Sequence, residues 1–428
     1  MSWIMCLLRS RLQAAKYGRQ DPARGTVMLI RVLLLFESAM YSAITPVLPH
    51  YAHALGASKP AVGVLAGAYP AGIIPGSLLG AWIASRTGVR RTTTIGLLVF
   101  AVSIAGFGFG TSIATLDALR FIQGIGCGFI WGGGLTWVIT VAPRERRGEM
   151  LGSVLGAAIF GTLIGPVLGI LAVAVGTGPV FAVVGAAALG LAAWTVRHPE
   201  PVVHAPAAET ASPLRDMARS PHIRLGSWLI LLEAATIGAT STLLPLRLAR
   251  FGADSIVVGG VFFVSSLISM AVSAPIGRTV DRRGAGVPLC VGLTLTAILM
   301  ALLPIPQTAA LLAIISVIAL GGPLTAYTIP ALTIITDTSE RLGIPLVVAT
   351  MMLNLAWAVG EVIGAPAAAN LSQATSDTVP LLALSAIMVL TLRPVIRARL
   401  TAPSQRADSA DSADSEEREQ WVPAATAR

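Results

Sequence analysis

Charge is scarce in this sequence. Only 12% of its 428 residues are Asp, Glu, Lys or Arg, while 54% are hydrophobic and the mean hydropathy is +0.77. Soluble globular domains carry about 25% charged residues, so an ordinary soluble fold is excluded and the excess apolar surface must face lipid. Cysteine is nearly absent. Cys6, Cys127 and Cys290 are scattered without metal-ligand or disulfide spacing, and they read as small apolar residues. His50 and His53 lie close together, but the further ligands that a metal site requires are missing. No cluster of His, Asp or Cys stands at a membrane interface, which argues against a membrane-embedded enzyme, and no cofactor is expected. The N-terminus has only a short apolar patch and no small-residue cleavage site, so it does not read as a signal peptide. The Gly132–Gly134 run lies inside an apolar segment, which argues against a nucleotide-binding loop.

What is present is a repeat. With a constant offset of 196 residues and no gap, Glu37 falls on Glu233, Pro49 on Pro245, Gly56-Ala57 on Gly252-Ala253 and Gly63 on Gly259. Arg86 likewise falls on Arg282, Gly88 on Gly284 and Gly96 on Gly292. A mostly apolar unit duplicated in parallel is a transporter architecture. About 20 apolar residues cross a hydrocarbon core of about 30 Å, and twelve such runs are expected. They cover 27–50, 61–83, 93–112, 114–142, 149–173 and 177–196, then 224–248, 256–277, 288–305, 308–335, 344–369 and 376–393. The fold class expected is an all-α membrane protein with two pseudo-symmetric six-helix bundles.

The net charge of +9 sits in short loops between apolar runs, which marks topology rather than a nucleic-acid partner. Arginines crowd one side: Arg9, Arg11, Lys16, Arg19, Arg24 and Arg31 before or at the first span, Arg86, Arg90 and Arg91 after the second, and Arg144, Arg146 and Arg147 after the fourth. Arg197, Arg215, Arg219, Arg224, Arg278, Arg282, Arg283 and Arg341 continue that side, against only Lys59, Arg247 and Arg250 on the other. Both termini are therefore expected in the cytoplasm, in a bacterial plasma membrane. The expected division is an N-terminal arm over 1–26, bundles over 27–197 and 223–397, a polar linker over 198–222 and a low-complexity acidic tail over 398–428, read as disordered.

Four motifs carry a family resemblance. After the eighth span the chain reads Gly277-Arg278-Thr279-Val280-Asp281-Arg282-Arg283-Gly284. A short turn calls for glycine, and a carboxylate among arginines can act as a gate latch. The equivalent segment keeps Arg86 and Gly88 but has Ser85 in place of the acid. The fourth span opens Leu116-Asp117-Ala118-Leu119-Arg120, followed by Gln123, Gly124 and Gly126. The fifth holds Gly152, Gly161, Gly165-Pro166 and Gly169, echoed in the eleventh by Gly360 and Gly364 with Glu361 in the proline's place. The first ends on Pro46 and Pro49. These patterns resemble the loop signature, the helix-4 arginine motif, the antiporter motif and the P-x-x-P ending of the major facilitator superfamily, in its twelve-span drug–proton antiporter branch. The resemblance covers residues 27–397. It implies a rocker-switch exchange of protons for substrate, with Arg120 associated with proton transfer.

Charges inside spans are functional candidates by default. Arg120 is read as the basic residue inside a span, the bland alternative being an ion pair with Asp117. Glu37 shares a helical face with Tyr41, Ile44 and Leu48, which turns a protonatable acid and an aromatic towards a cavity; the alternative is a pair with Arg31. Glu233 is its repeat mate, on a face with Thr236 and Thr240, with Arg224 as the alternative partner. Glu361 shares a face with Asn354 and Trp357, a carboxylate, amide and aromatic suited to a cationic or amphipathic ligand. Trp131 is a cavity candidate or a packing residue. The resulting expectation is proton-coupled efflux of drugs or small organic molecules by a monomer, with substrate, proton and lipid as partners. A sugar or metabolite exporter or symporter of the same fold is the alternative, and a non-transporting scaffold or receptor the rival of another class.

Overall fold

The computed structural model describes residues 22–143, 146–199, 219–344 and 346–398. The arm before residue 22, most of the linker and the tail beyond 398 lie outside the described residues. Among the described residues every regular element is helical. In chain order these are α1 (Pro22–Ala43), a 3-10 turn (Thr45–Val47), α2 (Leu48–Ala54), α3 (Lys59–Thr87), α4 (Val89–Gly108), α5 (Ile113–Val141), α6 (Arg147–Val175) and α7 (Thr177–Arg197). The second series is α8 (Pro221–Arg250), α9 (Ser255–Arg283), α10 (Gly286–Leu302), α11 (Ala309–Gly321), α12 (Pro323–Arg341), α13 (Leu346–Ala374) and α14 (Thr378–Arg397).

Eleven spans are long and apolar enough to cross a membrane, and Gly286–Leu302 is a shorter twelfth apolar helix. All twelve expected runs therefore correspond to helical segments. Two are interrupted. Pro46 and Pro49 sit in the opening positions of the 3-10 turn and of α2, and Pro323 opens α12 directly after the α11 cap at Gly322. Proline has no N–H to donate and disfavours the helical conformation of the residue before it, so each proline starts a new helix.

The duplication is visible in the caps. Ser58 Oγ accepts the Ala61 N–H ahead of α3, and its repeat mate Asp254 accepts the Val257 N–H at 2.9 Å ahead of α9. Ser112 accepts from Thr115 at 3.2 Å, and its mate Thr308 from Leu311 at 3.4 Å. Side chains differ, but each supplies an oxygen to an orphan helix N–H. Gly88 (φ 91°) and Gly284 (φ 81°) end α3 and α9 in a left-handed conformation that disfavours any Cβ. The motif expected as a loop is thus helical up to its last glycine. Gly277 lies inside α9 with nothing near an added Cβ, so no turn explains it.

The chain divides into two compact units, Met1–Glu209 with Asp254–Phe263, and Thr210–Ala253 with Val264–Arg428. In the first, α1 packs on α6, α3 and α4 on α5, and α4 on α7; in the second, α8 packs on α13 and α12, and α10 on α12 and α14. The α3–α5 contact is glycine against glycine: a Cβ on Gly124 meets the Gly72 Cα at 3.0 Å, and one on Gly128 meets the Gly76 Cα at 2.9 Å. Positions 268 and 272 of the repeat carry Ile and Val instead.

One expectation needs correction. Arg247, read as a basic residue near a loop, is buried within α8. Its guanidinium donates to the carbonyls of Leu303 (2.8 Å), Pro306 (3.0 Å) and Pro304. The proline-rich turn after α10 leaves those carbonyls without helical partners, and a guanidinium satisfies several at once. Nearby Arg250 pairs with Asp377, which also accepts from Ser372.

Candidate functional site

The polar centre of the first unit is built on three helices. From α1, Glu37 places its carboxylate in the interior with 2% exposure. From α3, Tyr69 donates its hydroxyl to Glu37 Oε1. From α5, Trp131 donates its indole N–H to Oε2 at 2.7 Å, and the Cys127 thiol lies alongside. Ser38 reaches Oε2 at 3.4 Å. A buried carboxylate costs several kcal/mol in desolvation, and each hydrogen bond to a charged group returns about 1.5–3 kcal/mol. Tyrosine and tryptophan both donate while remaining neutral, so they hold the acid without fixing it in a salt bridge.

Arg120, 1% exposed, lies one layer away. Its Nη1 donates to Gln123 Oε1 at 2.9 Å, and its guanidinium carbon sits 4.6 Å from the Tyr69 ring centroid and 6.0 Å from that of Phe107. Tyr69 therefore links the site: hydroxyl to Glu37, ring face to Arg120, and ring to Tyr41 at 5.5 Å.

The bland alternatives fail on geometry. Arg120 hydrogen-bonds Gln123, whereas Asp117 Oδ1 is buried without a hydrogen-bond partner among the described residues. Arg31 donates to Ser153 on α6 at 2.9 Å and not to Glu37. Trp131, weighed as a packing residue, is instead a direct partner of the carboxylate. Tyr69 and Cys127 were not legible as site residues, and Gln123 was marked only as part of the Arg120 motif. Gln123 and Cys127 stand at helical spacing with Arg120 and Trp131, and that stripe is the signal that would have found them.

In the second unit, Glu233 is 8% exposed, and Thr328 and the buried Tyr327 of α12 stand beside it. Arg224 lies nine positions earlier on the same helix, about 13 Å away at 1.5 Å per residue, and is not its partner. Glu361 on α13 is 3% exposed, and its Cγ lies 3.1 Å from a Cβ built on Gly238 of α8. Trp357 and Asn354 are half-buried one and two turns away.

The glycine motif of α6 has a defined task. A Cβ on Gly161 would strike the Leu35 backbone, one on Gly165 Ser42 and the Ala39 carbonyl, and one on Gly169 Pro46 and the Ala43 carbonyl. Three of its glycines thus seat α1, the helix that carries Glu37, while Gly152 has open space around it. Pro166 lies within α6. In α13, Gly360 faces Leu231 and Gly364 faces Ala235, the repeat mates of Leu35 and Ala39. This corrects the expected register: Gly360 corresponds to Gly161, so Glu361 stands at the place of Thr162 and Ala365 at that of Pro166.

At the end of α3 the missing acid leaves its arginine on an aromatic. Arg86 stacks 4.2 Å from the centroid of Trp82, which is 53% exposed, and Ser85 Oγ donates to the Trp82 carbonyl. At the end of α9, Asp281 and Arg282 are exposed. Among the described residues no group of three or more His, Cys, Asp or Glu side chains is placed to hold a metal ion.

The profile of the Major Facilitator Superfamily matches residues 32–365. The chain belongs to that superfamily of membrane transporters. It is 25% identical over 377 residues to the uncharacterized MFS-type transporter YcaD of Escherichia coli O7:K1, covering 87% of this chain and 96% of that protein. In structure it is similar to a bacterial homolog of the human lysosomal transporter Spinster in an inward-facing, occupied conformation (TM-score 0.72, 14% identity, 89% of this chain and 97% of that one). It is also similar to a D-xylose–proton symporter (TM-score 0.71, 17% identity, 86% and 96%) and to the nucleoside transporter NupG (TM-score 0.67, 13% identity, 87% and 98%).

Proposed function

We propose that this major facilitator transporter exports drugs or other small organic molecules in exchange for protons, by alternating access, with Glu37 as the exchanging group. The observation that carries the reading is a buried carboxylate held by two neutral donors, Tyr69 and Trp131, on three different helices. Such an acid can release or take a proton when the helices shift, because no salt bridge has to break. Arg120 stabilises the ionised state from behind the Tyr69 ring. Tyr41 and Trp131 in the first unit, and Asn354 and Trp357 with Glu361 in the second, are the residues assigned to substrate contact. The α6 glycines support the reading by letting α1 pack closely where the acid sits. Asp281 with Arg282 and Gly284 serves as a gate element at the cytoplasmic end, whereas Arg86, which rests on Trp82, contributes less.

The test is proton-driven flux in energised inverted vesicles, with ethidium as the probe cation and matched expression. Glu37→Gln is expected to reach the membrane and lose uphill accumulation, while downhill exchange survives. Full uphill transport by this variant would remove Glu37 from the coupling role. Proton-driven uptake in right-side-out vesicles would instead support the symporter reading.

A further inference from the structure

Proline breaks a helix ladder at a fixed place, because the carbonyl four positions earlier loses the N–H that would meet it. In α6 that pair is Thr162 and Pro166. The donor that reaches the Thr162 carbonyl comes from another helix: Ser42 Oγ of α1, at 3.0 Å. The hydroxyl of Thr162 itself donates to the Ile159 carbonyl at 2.7 Å and is spent there. Ser42 Oγ also lies 3.1 Å from the Ser38 carbonyl and 3.4 Å from that of Ala39. Those two carbonyls belong to a stretch of α1 with no proline, where the N–H groups of Ser42 and Ala43 meet them. The single hydroxyl proton therefore does more at Thr162 than on its own helix.

The second unit supplies the control. Gly238 is the repeat mate of Ser42, and the register of α13 sets Glu361 at the place of Thr162 and Ala365 at that of Pro166. A Cβ built on Gly238 lies 3.0 Å from the Glu361 carbonyl oxygen and 3.0 Å from the Ala365 nitrogen, so α8 and α13 meet at the equivalent point. Ala365, inside α13, has the N–H that Pro166 lacks and can close the ladder onto the Glu361 carbonyl. The cross-helix hydroxyl is missing from the same place. Serine goes with proline in one half, and glycine with alanine in the other.

We infer that Ser42 is a positioning residue that stands in for the N–H missing at Pro166, and so ties the break in α6 to α1, the helix of Glu37. Its hydroxyl holds α1 on Thr162 in this arrangement. When α6 flexes at the proline, the same proton falls back on Ser38 or Ala39, so the donor is never stranded as the two helices shift. The equivalent contact in the second unit has no such shared proton and is closed by main chain alone. The part Ser42 plays in transport rests on the proton-exchange reading above; its pairing with Pro166 does not.

The experiment is a double-mutant cycle on the full chain, with Ser42→Ala and Pro166→Ala made singly and together. It is read by the melting midpoint of the purified protein and by ethidium flux in energised inverted vesicles at matched expression. With Pro166 present, Ser42→Ala is expected to lower the midpoint by several degrees. It should also slow turnover by about two- to tenfold, the weight of one hydrogen bond, with the ethidium KM unchanged. In the Pro166→Ala background the same substitution should cost neither, because the alanine N–H now meets Thr162. Equal losses in both backgrounds, or no midpoint loss with Pro166 present, overturn the inference. So does a raised KM at unchanged turnover, which would make Ser42 a substrate contact. The midpoint cycle decides the pairing even if Pro166→Ala proves inactive. A wild type without proton-driven ethidium flux would sink the functional reading separately and leave the midpoint cycle standing.

Discussion

At the scale of single residues, the first site is a balance between the cost of burying a charge and the donors that offset it. Glu37 accepts from Tyr69 and Trp131, and each such bond to a charged acceptor is worth about 1.5–3 kcal/mol. Because 1.4 kcal/mol is a tenfold change in an equilibrium, Tyr69→Phe and Trp131→Phe should each slow proton-driven flux by roughly tenfold or more. The readout is initial rate in energised vesicles at matched expression. Tyr69→Phe keeps the ring beneath Arg120 and the contact with Tyr41, so its deficit reports the hydroxyl alone. An unchanged rate in both variants would mean that the carboxylate does not depend on these donors.

Elements meet in this protein where side chains are absent. Gly161, Gly165 and Gly169 place α6 against the α1 backbone, and Gly360 and Gly364 place α13 against α8 in the same way. Overpacking typically costs 1–3 kcal/mol, and here the added carbon would meet backbone, which gives little. Gly161→Ala and Gly364→Ala should therefore lower the melting midpoint in detergent by several degrees. Gly152→Ala, with nothing within 4 Å of its Cβ, should leave the midpoint unchanged or raise it slightly, since alanine is the better helix former by about 1 kcal/mol. Scanning fluorimetry on purified protein checks both. Equal losses at all three positions would mean that the motif acts by glycine flexibility and not by close approach.

For the whole molecule, the arginine bias between spans sets an expected orientation. Both termini and the segment between the two bundles are expected on the cytoplasmic side. In a background with Cys6, Cys127 and Cys290 replaced by alanine, a membrane-impermeant thiol reagent applied from outside should label Ala57→Cys and leave Thr210→Cys unreacted until the membrane is opened. The reverse pattern would invert the topology and every assignment of a gate to a side. The duplication also makes the whole more informative than its parts, since Ser58 and Asp254 reveal a shared capping role only when the two halves are superposed in sequence.

The sequence by itself determined the twelve apolar runs, their parallel duplication and the superfamily, because hydropathy over about 20 residues and helix-breaking prolines act locally. It also marked Glu37, Arg120, Glu233 and Glu361, since a charge within an apolar run stands out without any partner being known. Partners were another matter. Tyr69 lies 32 residues from Glu37 and Trp131 lies 94, and an aromatic residue in an apolar helix looks the same whether it packs or donates. The burial of Arg247 over a proline turn and the register of Gly360 against Gly161 were likewise decided by tertiary structure. Hydrogen bonding is short-ranged and directional, so only the packing of distant helices could say which donor meets which acid.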